Sequence, residues 1–373
     1  MSVLIIGNKY DGHCAAVQWG LQECGVAHLI WDWSDYPENQ GISISISCDP
    51  KAEPSRLAWR EHDSFESVST VWFRRRGNPG KHSQAHAADI KFIKRESQHF
   101  LLNSVTTTSL ARARWVNPQQ KAATANLKVH QLQVAKRLGL RIPPTLISNN
   151  AADVRSFCKA YNSDIIYKAF TPADWPHEGA GYITPTTAIK PELLEDNRPV
   201  EMCPGIYQPR VKKVFELRVT VMGSTIYAAK LDSQRDGETT DWRSDVTLRN
   251  LMVQPYRLRD DEEQKVLSFC KELGVQFGCL DFVMEPDGEL TFLEINEAGQ
   301  FLFIEMACPD IKLLAGFSRF LSEHEPDSSK ADFSTLSLER FEATDLAAAC
   351  REWDVRTAKE ETLARARSEQ TSS

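Results

Sequence analysis

Two short runs late in the chain place carboxylates where apolar residues belong: Leu280-Asp281-Phe282-Val283 and Phe292-Leu293-Glu294-Ile295-Asn296. Both are rich in aliphatic and aromatic residues, as strands are, and Pro286-Asp287-Gly288 between them supplies a turn. Strand alternation puts Glu294 and Asn296 on one face. Closing the hairpin at Asp287-Gly288 sets Asp281 across from Glu294, within a residue of register. A carboxylate in an apolar strand needs a cationic partner or a metal. Two carboxylates and an amide oxygen form an all-oxygen set suited to Mg²⁺, which also takes substrate phosphates. The alternative is an acidic, solvent-facing hairpin surface.

The rest of the chain reads as mixed α/β. Val3-Leu4-Ile5-Ile6 is a buried strand, residues near Cys14 to Cys24 form a helix ended by Gly25, and Ala27 to Trp33 holds the next strand. This opening resembles a nucleotide-binding βαβ unit. Yet Gly7 to Gly12 is not GxGxxG, and GxxxxGK[ST] occurs nowhere. Ser43 to Ser47 alternates as a half-buried strand, and Thr70 to Phe73 is another, ending in Arg74-Arg75-Arg76. Residues 83–102 are predicted helical.

Asn117-Pro118, with Gln120, is a helix start signal. Leu127, Val134, Ala135 and Leu138 continue one helix at helical spacing to Gly139, and Pro143-Pro144 prevents its return. Strands are predicted at 145–147 and 164–170, followed by a Gly-containing loop over 177–181. From Gly205 the pattern is hairpins: 215–221, a turn at Gly223-Ser224, then 225–231. A helix spans 260–273, a polar linker 324–332, and a helical tail 338–367.

Composition narrows the class. A length of 373 residues allows two to three domains. With 44 Lys plus Arg against 51 Asp plus Glu, the net charge of −7 disfavours a non-specific nucleic-acid binder. The first apolar run is too short for a signal peptide, and no run approaches a membrane span. Nine scattered cysteines without CxxC read as reduced core thiols in a cytoplasm.

Other residues carry less on their own. Lys168, in the apolar run Ile165-Ile166-Tyr167-Lys168, needs an anionic partner. Lys128 lies off the apolar face of the helix begun at Asn117 and alone reads as a solvated lysine. Arg218 shares a strand face with Glu216, and its plain role is a cross-strand ion pair. His82 and His86 stand four apart without a third ligand, which favours a solvated helix face over zinc.

Together these positions resemble the ATP-grasp superfamily. The order is Lys128, Gly139 and Pro143, Lys168, a Gly loop, Gly205-Ile206-Tyr207-Gln208-Pro209-Arg210-Val211, then Asp281 and Glu294-Ile295-Asn296. The resemblance is closer to its peptide-maturing branch, the microviridin-type (graspetide) ligases. That likeness rests on Val71-Trp72-Phe73-Arg74-Arg75, Phe215 to Gly223, Asp232-Ser233-Gln234, Asp241-Trp242-Arg243 and Asn296-Glu297-Ala298-Gly299-Gln300-Phe301.

The resemblance implies an ATP-grasp fold in the α/β (α+β) class. Its expected parts are an N-terminal pre-ATP-grasp subdomain over 1–115, a central subdomain over 116–204 and a C-terminal subdomain over 205–322. A linker and helical tail, 323–373, follow. ATP and two Mg²⁺ are the implied cofactors. Lys128 and Lys168 become phosphate ligands, with Gly179 and Gly181 in the loop folding over the phosphates. Gln208, Pro209, Arg210 and Val211 become the adenine hinge, and Glu216 the ribose contact. Asp281, Glu294 and Asn296 become Mg²⁺ ligands. Arg218, Lys168 and Arg243 become catalytic, while Arg74, Arg75, Asp241 and Arg243 meet the peptide.

The implied activity is an ATP-dependent carboxylate ligase. It would phosphorylate Asp or Glu side chains of a ribosomal precursor peptide, leader plus core, and crosslink them to Ser/Thr hydroxyls or Lys amines as ω-esters or ω-amides. The alternatives are a ligase that adds an amino acid to a peptide or protein, and a non-catalytic ATP-binding regulator. A cytoplasmic homodimer is expected, with no nucleic-acid or membrane partner. Family members usually end soon after the helix near Leu313 to Leu321; here about fifty residues follow, which could pack on the core, dimerise or contact the precursor.

Overall fold

The computed structural model describes residues 2–51, 55–59, 65, 67–75, 77–80, 82–171, 174–177, 180–183, 186–232, 252–324 and 331–357. The chain divides into two compact units. The first holds Met1–Ala122, Gly274–Phe277 and Gln300–Arg356, and the second holds Ala123–Leu273, Gly278–Gly299 and the remaining tail.

In the first unit the chain runs β1 (Ser2–Ile6), α1 (Gly12–Glu23), β2 (His28–Trp31), β3 (Ile42–Ile46), β4 (Ser55–Trp59), β5 (Val68–Phe73), α2 (Ile90–Ser104), α3 (Thr108–Ala111) and β6 (Arg114–Val116). Four strands form a parallel sheet in the order β2-β1-β5-β6, and β3 pairs with β4 in a separate hairpin. A parallel sheet is covered on both faces, which explains the unbroken apolar run of β1. Leu4, Ile6 and Val71 pack with Trp31, Trp33 and Leu101 on one face. The neighbouring Trp72 turns to the other face and meets Phe317, with ring centroids 4.8 Å apart.

Helix α2 starts at Ile90, not near 83. His86 caps the short 3-10 turn before it, accepting from the Ala88 amide at 3.3 Å. His82 and His86 therefore precede the helix and do not form an i, i+4 pair on its face.

The second unit continues with α4 (Gln119–Ala125, whose start belongs to the first unit), α5 (Lys128–Arg137), β7 (Leu146–Ser148), α6 (Ala151–Ala160), β8 (Ile165–Lys168), β9 (Asp174–His177), β10 (Ala180–Ile183), β11 (Thr187–Ile189), α7 (Arg198–Met202), β12 (Gly205–Pro209), β13 (Phe215–Met222), β14 (Thr225–Asp232), β15 (Met252–Tyr256), α8 (Asp260–Leu273), β16 (Phe277–Met284) and β17 (Leu290–Asn296). The one helix expected from Asn117 to Gly139 is two. The chain breaks after Ala125, and Leu127, counted on the apolar face, is exposed. Gly139 ends α5 at φ +76°, a conformation glycine adopts readily.

One antiparallel sheet orders β11-β8-β12-β7, and β9 pairs with β10. The other orders β15-β14-β13-β16-β17, with Phe269 of α8 packed on Phe292 at 4.9 Å. The Gly223-Ser224 turn joins β13 to β14, pairing Met222 with Thr225.

The chain then returns to the first unit with α9 (Leu302–Ala307), α10 (Leu313–Ser322), α11 (Leu338–Glu342) and a helical run over 345–357. Among its described residues the tail is thus helical in two pieces, and its predicted end at 367 lies outside them. None of the nine cysteines forms a disulfide, and six are buried. Burial pushes the Cys270 thiol up to about 12, consistent with a packing role.

Candidate functional site

The site is built on one face of the five-stranded sheet. Asp281 lies directly opposite Glu294, with Cys279 opposite Asn296. A bulge then intervenes, because Phe282 pairs with Phe292 and Leu293 is the extra residue. This residue is what lets Phe292 join Phe282 in the core, at 5.5 Å, while Glu294 faces the other way beside Asp281. Simple alternation would have put Phe292 and Glu294 on the same side.

On β13, Glu216, Arg218 and Thr220 share that face and are all buried. The Arg218 guanidinium donates to Asp281 Oδ1 at 2.7 Å, with both side chains under 10% exposed. Burial by itself would lower the Arg218 pKa, but the charge and hydrogen bond of Asp281 together with Cys279 and Glu294 outweigh it, and the value lies above the ordinary arginine range. Asp281 is therefore not part of a solvated acidic surface. Lys128, at the first position of α5, donates to Glu294 Oε2 at 2.6 Å. A lysine that looked dispensable on a long helix instead heads its own helix and reaches the carboxylate. The Asn296 amide reaches Glu294 Oε1 at 3.4 Å.

The remaining predicted residues occupy several places. Lys168 ends β8, half-buried, opposite Ile206 of β12. Gln208 on β12 is buried, and its amide donates to Thr145 Oγ1 at 2.9 Å. Pro209 closes that strand, Arg210 is exposed and donates to Asp164 at 2.8 Å, and Val211 is half-buried. Gly181 sits in β10 opposite Pro176. Gly179, Asp241 and Arg243 lie outside the described residues. In the first unit Arg74 is buried and pairs with Asp11 at 3.5 Å, while Arg75 is exposed.

Sequence reasoning missed two contributors and left a third unexplained. Lys213 donates to Glu216 at 2.5 Å, and the i, i+3 spacing was its only signal. Gln131 of α5 accepts from the Ile295 amide at 3.2 Å and donates to the Ile295 carbonyl at 3.0 Å. It thereby satisfies the outer edge of β17 between Glu294 and Asn296. Gly299 is the third: a Cβ there would lie 2.7 Å from Cys279 Cβ and 3.0 Å from Arg218 Nη2. The Asn-x-x-Gly spacing marked Gly299, but only the contacts explain it.

As for metals, the donor set of two carboxylates and an amide is chemically a hard-cation set. No group of three or more His, Cys, Asp or Glu forms a metal cluster among the described residues. None of the described helices is long and apolar enough to cross a membrane.

Among solved structures, the chain is similar to a RiPP-associated ATP-grasp ligase of Chryseobacterium gregarium, solved with ADP and a leader and core peptide. The identity is 26%, the TM-score 0.77, and the match covers 87% of this chain and 98% of that one. It is similar also to the macrocyclase MdnC of Microcystis aeruginosa MRC, bound with precursor peptide MdnA, at 26% identity and a TM-score of 0.73, covering 86% and 99%. The macrocyclase MdnB of the same source follows at 26% and 0.66, with the same coverage. No family model matches the chain, and no curated protein matches its sequence. The fold expected from the resemblance, that of the ATP-grasp ligases, is the fold found.

Proposed function

We propose that the chain is an ATP-dependent ligase acting on a ribosomally made precursor peptide, leader plus core. It activates Asp or Glu side chains and joins them to Ser or Thr hydroxyls or Lys amines of the same peptide. The observation that carries this reading is the buried Arg218–Asp281 pair beside the half-buried Lys128–Glu294 pair. Its setting in a fold shared with peptide-bound ligases at 26% identity supports the reading.

The chemistry has two steps. A substrate carboxylate oxygen attacks the γ-phosphorus of ATP, forming an acyl phosphate and releasing ADP. A hydroxyl or amine of the peptide then attacks the acyl carbon, phosphate leaves, and the nucleophile gives up a proton. Lys128 and Lys168 bind phosphate, with Gly179 and Gly181 over it. Residues 208–211 hold adenine and Glu216 holds ribose. Asp281, Glu294 and Asn296 would hold Mg²⁺, two ions in all, which offset phosphate charge when bound. Arg218 presents a planar fork of donors to the transferring phosphoryl group. Arg74, Arg75, Asp241 and Arg243 serve the peptide side. Holding both peptide groups in one molecule makes the second step effectively intramolecular. The enzyme works in the cytoplasm as a homodimer.

The test is mass spectrometry of candidate peptides incubated with enzyme, ATP and Mg²⁺, with ADP measured in parallel. Loss of one water per bond is expected. A mass gain equal to an amino acid would replace this reading with an intermolecular ligase. Nucleotide binding without ADP formation would favour a regulator.

A further inference from the structure

We infer that the C-terminal extension supplies Trp353 to a peptide-binding surface at the carboxyl ends of β1 and β5. The inference rests on the peptide-ligase reading above.

The described part of the extension is anchored at several points. Phe333, Leu336, Leu338 and Phe341 are buried at 3% exposure or less. The Leu338 amide donates to Glu305 Oε1 at 2.8 Å, and Arg340 pairs with Glu23 of α1 at 3.0 Å. In the last described helical run, Ala347 and Cys350 point inward and are buried. One turn on from Cys350, Trp353 stacks on Tyr10, with ring centroids 6.1 Å apart and planes 19° from parallel. Trp353 is only half-buried, so part of its ring stays open.

Tyr10 belongs to the loop leaving the carboxyl end of β1. The sheet is parallel, and β1 is central, with β2 on one side and β5 on the other. Helix α2 packs through Leu101 on the face bearing Leu4 and Val71. Helix α1 lies with α10, where Gly20 abuts Ser318, and α10 covers the opposite face through Phe317 on Trp72. Open sheets covered this way bind ligands outside the carboxyl ends of the strands where the connections diverge.

Here that place is built. Arg74, next after β5, donates its amide to the Ile6 carbonyl at 3.0 Å and pairs with Asp11, the N-cap of α1. His13 accepts the Phe301 and Leu302 amides at 3.0 and 3.3 Å, which holds the start of α9 at the same end. Arg75 is exposed after β5, and the Tyr10–Trp353 stack adds an aromatic platform at the same end of the sheet.

The full-length enzyme is screened by ADP release against synthetic peptides carrying Glu or Asp with Thr, Ser or Lys. The best stimulating peptide is then used with Trp353→Ala and Trp353→Phe. We expect the peptide KM to rise about tenfold in Trp353→Ala, as for an aromatic contact at the heart of an interface. The ATP KM and thermal midpoint should stay near wild type, and Trp353→Phe should recover most of the loss. An unchanged peptide KM overturns the inference while the ligase reading stands. Parallel losses in ATP KM, peptide KM and stability reduce Trp353 to packing. Absence of stimulation by any peptide overturns both.

Discussion

Arg218 Nη1 donates to Asp281 Oδ1 at 2.7 Å between neighbouring strands, inside the sheet face that carries the candidate site. Such a pair does little for net stability, because desolvation offsets most of the attraction. Its effect is geometric. It fixes the guanidinium fork and the carboxylate in one orientation before any substrate arrives.

Glu294→Gln removes a charge from the set that Lys128 engages and weakens any hard-cation site there. ATP turnover should fall to background while the urea unfolding midpoint stays close to wild type. Full ADP release by this variant would refute the metal assignment.

Gly299→Ala tests the seat of Arg218. The new Cβ would clash with Cys279 at 2.7 Å, a buried strand residue that cannot swing away. Overpacking should cost about 1–3 kcal/mol. Displacement of Arg218 should lower kcat roughly 10- to 100-fold. Adding Cys279→Gly frees the space and should restore part of kcat, which steady-state kinetics on the double variant would read.

Gln131→Leu keeps the bulk of a buried side chain but strips both bonds to Ile295. The unsatisfied Ile295 backbone should cost roughly 2–3 kcal/mol, seen as a lower urea midpoint. Because Ile295 lies between Glu294 and Asn296, the Mg²⁺ concentration for half-maximal ADP release should rise as well. An unshifted Mg²⁺ requirement would confine Gln131 to a packing role.

Glu305 makes stability depend on pH. Burial pushes its carboxyl above the ordinary 4.5, although the Leu314 and Leu338 amides pull it down. The unfolded chain loses this proton near 4.5, whereas the folded chain keeps it to higher pH. In that window the folded state binds more protons, so raising the pH lowers stability. Urea midpoints across pH 4 to 7 should carry this decline in wild type and lose that component in Glu305→Gln.

Much of the site was legible because strand alternation is local. Asp281, Glu294 and Asn296 followed from a period of two and a turn, and the pairing of Asp281 with Glu294 came out in register. Lys128 was not legible from its helix, since the break after Ala125 leaves a sequence that still looks periodic. Arg218 reads from the sequence as half of a cross-strand ion pair; the fold supplies Asp281 as the partner and buries the pair. Gln131 gave no signal at all, because a glutamine on a helix reads as polar surface until a strand edge is brought to it.

What the sequence alone determined is the set of periodic elements and the chemistry of their exceptions. These are apolar strands that must be buried and charged residues within them that must find partners. Tertiary structure decided which partners. It set Arg218 on Asp281, Lys128 on Glu294, the Leu293 bulge that turns Glu294 to the site, and the packing of Trp353 on Tyr10. The physical reason is range. Propensity and alternation act over a few neighbouring residues, whereas ion pairs, edge bonds and ring stacking join residues tens to hundreds of positions apart, placed only by how the sheets and helices pack.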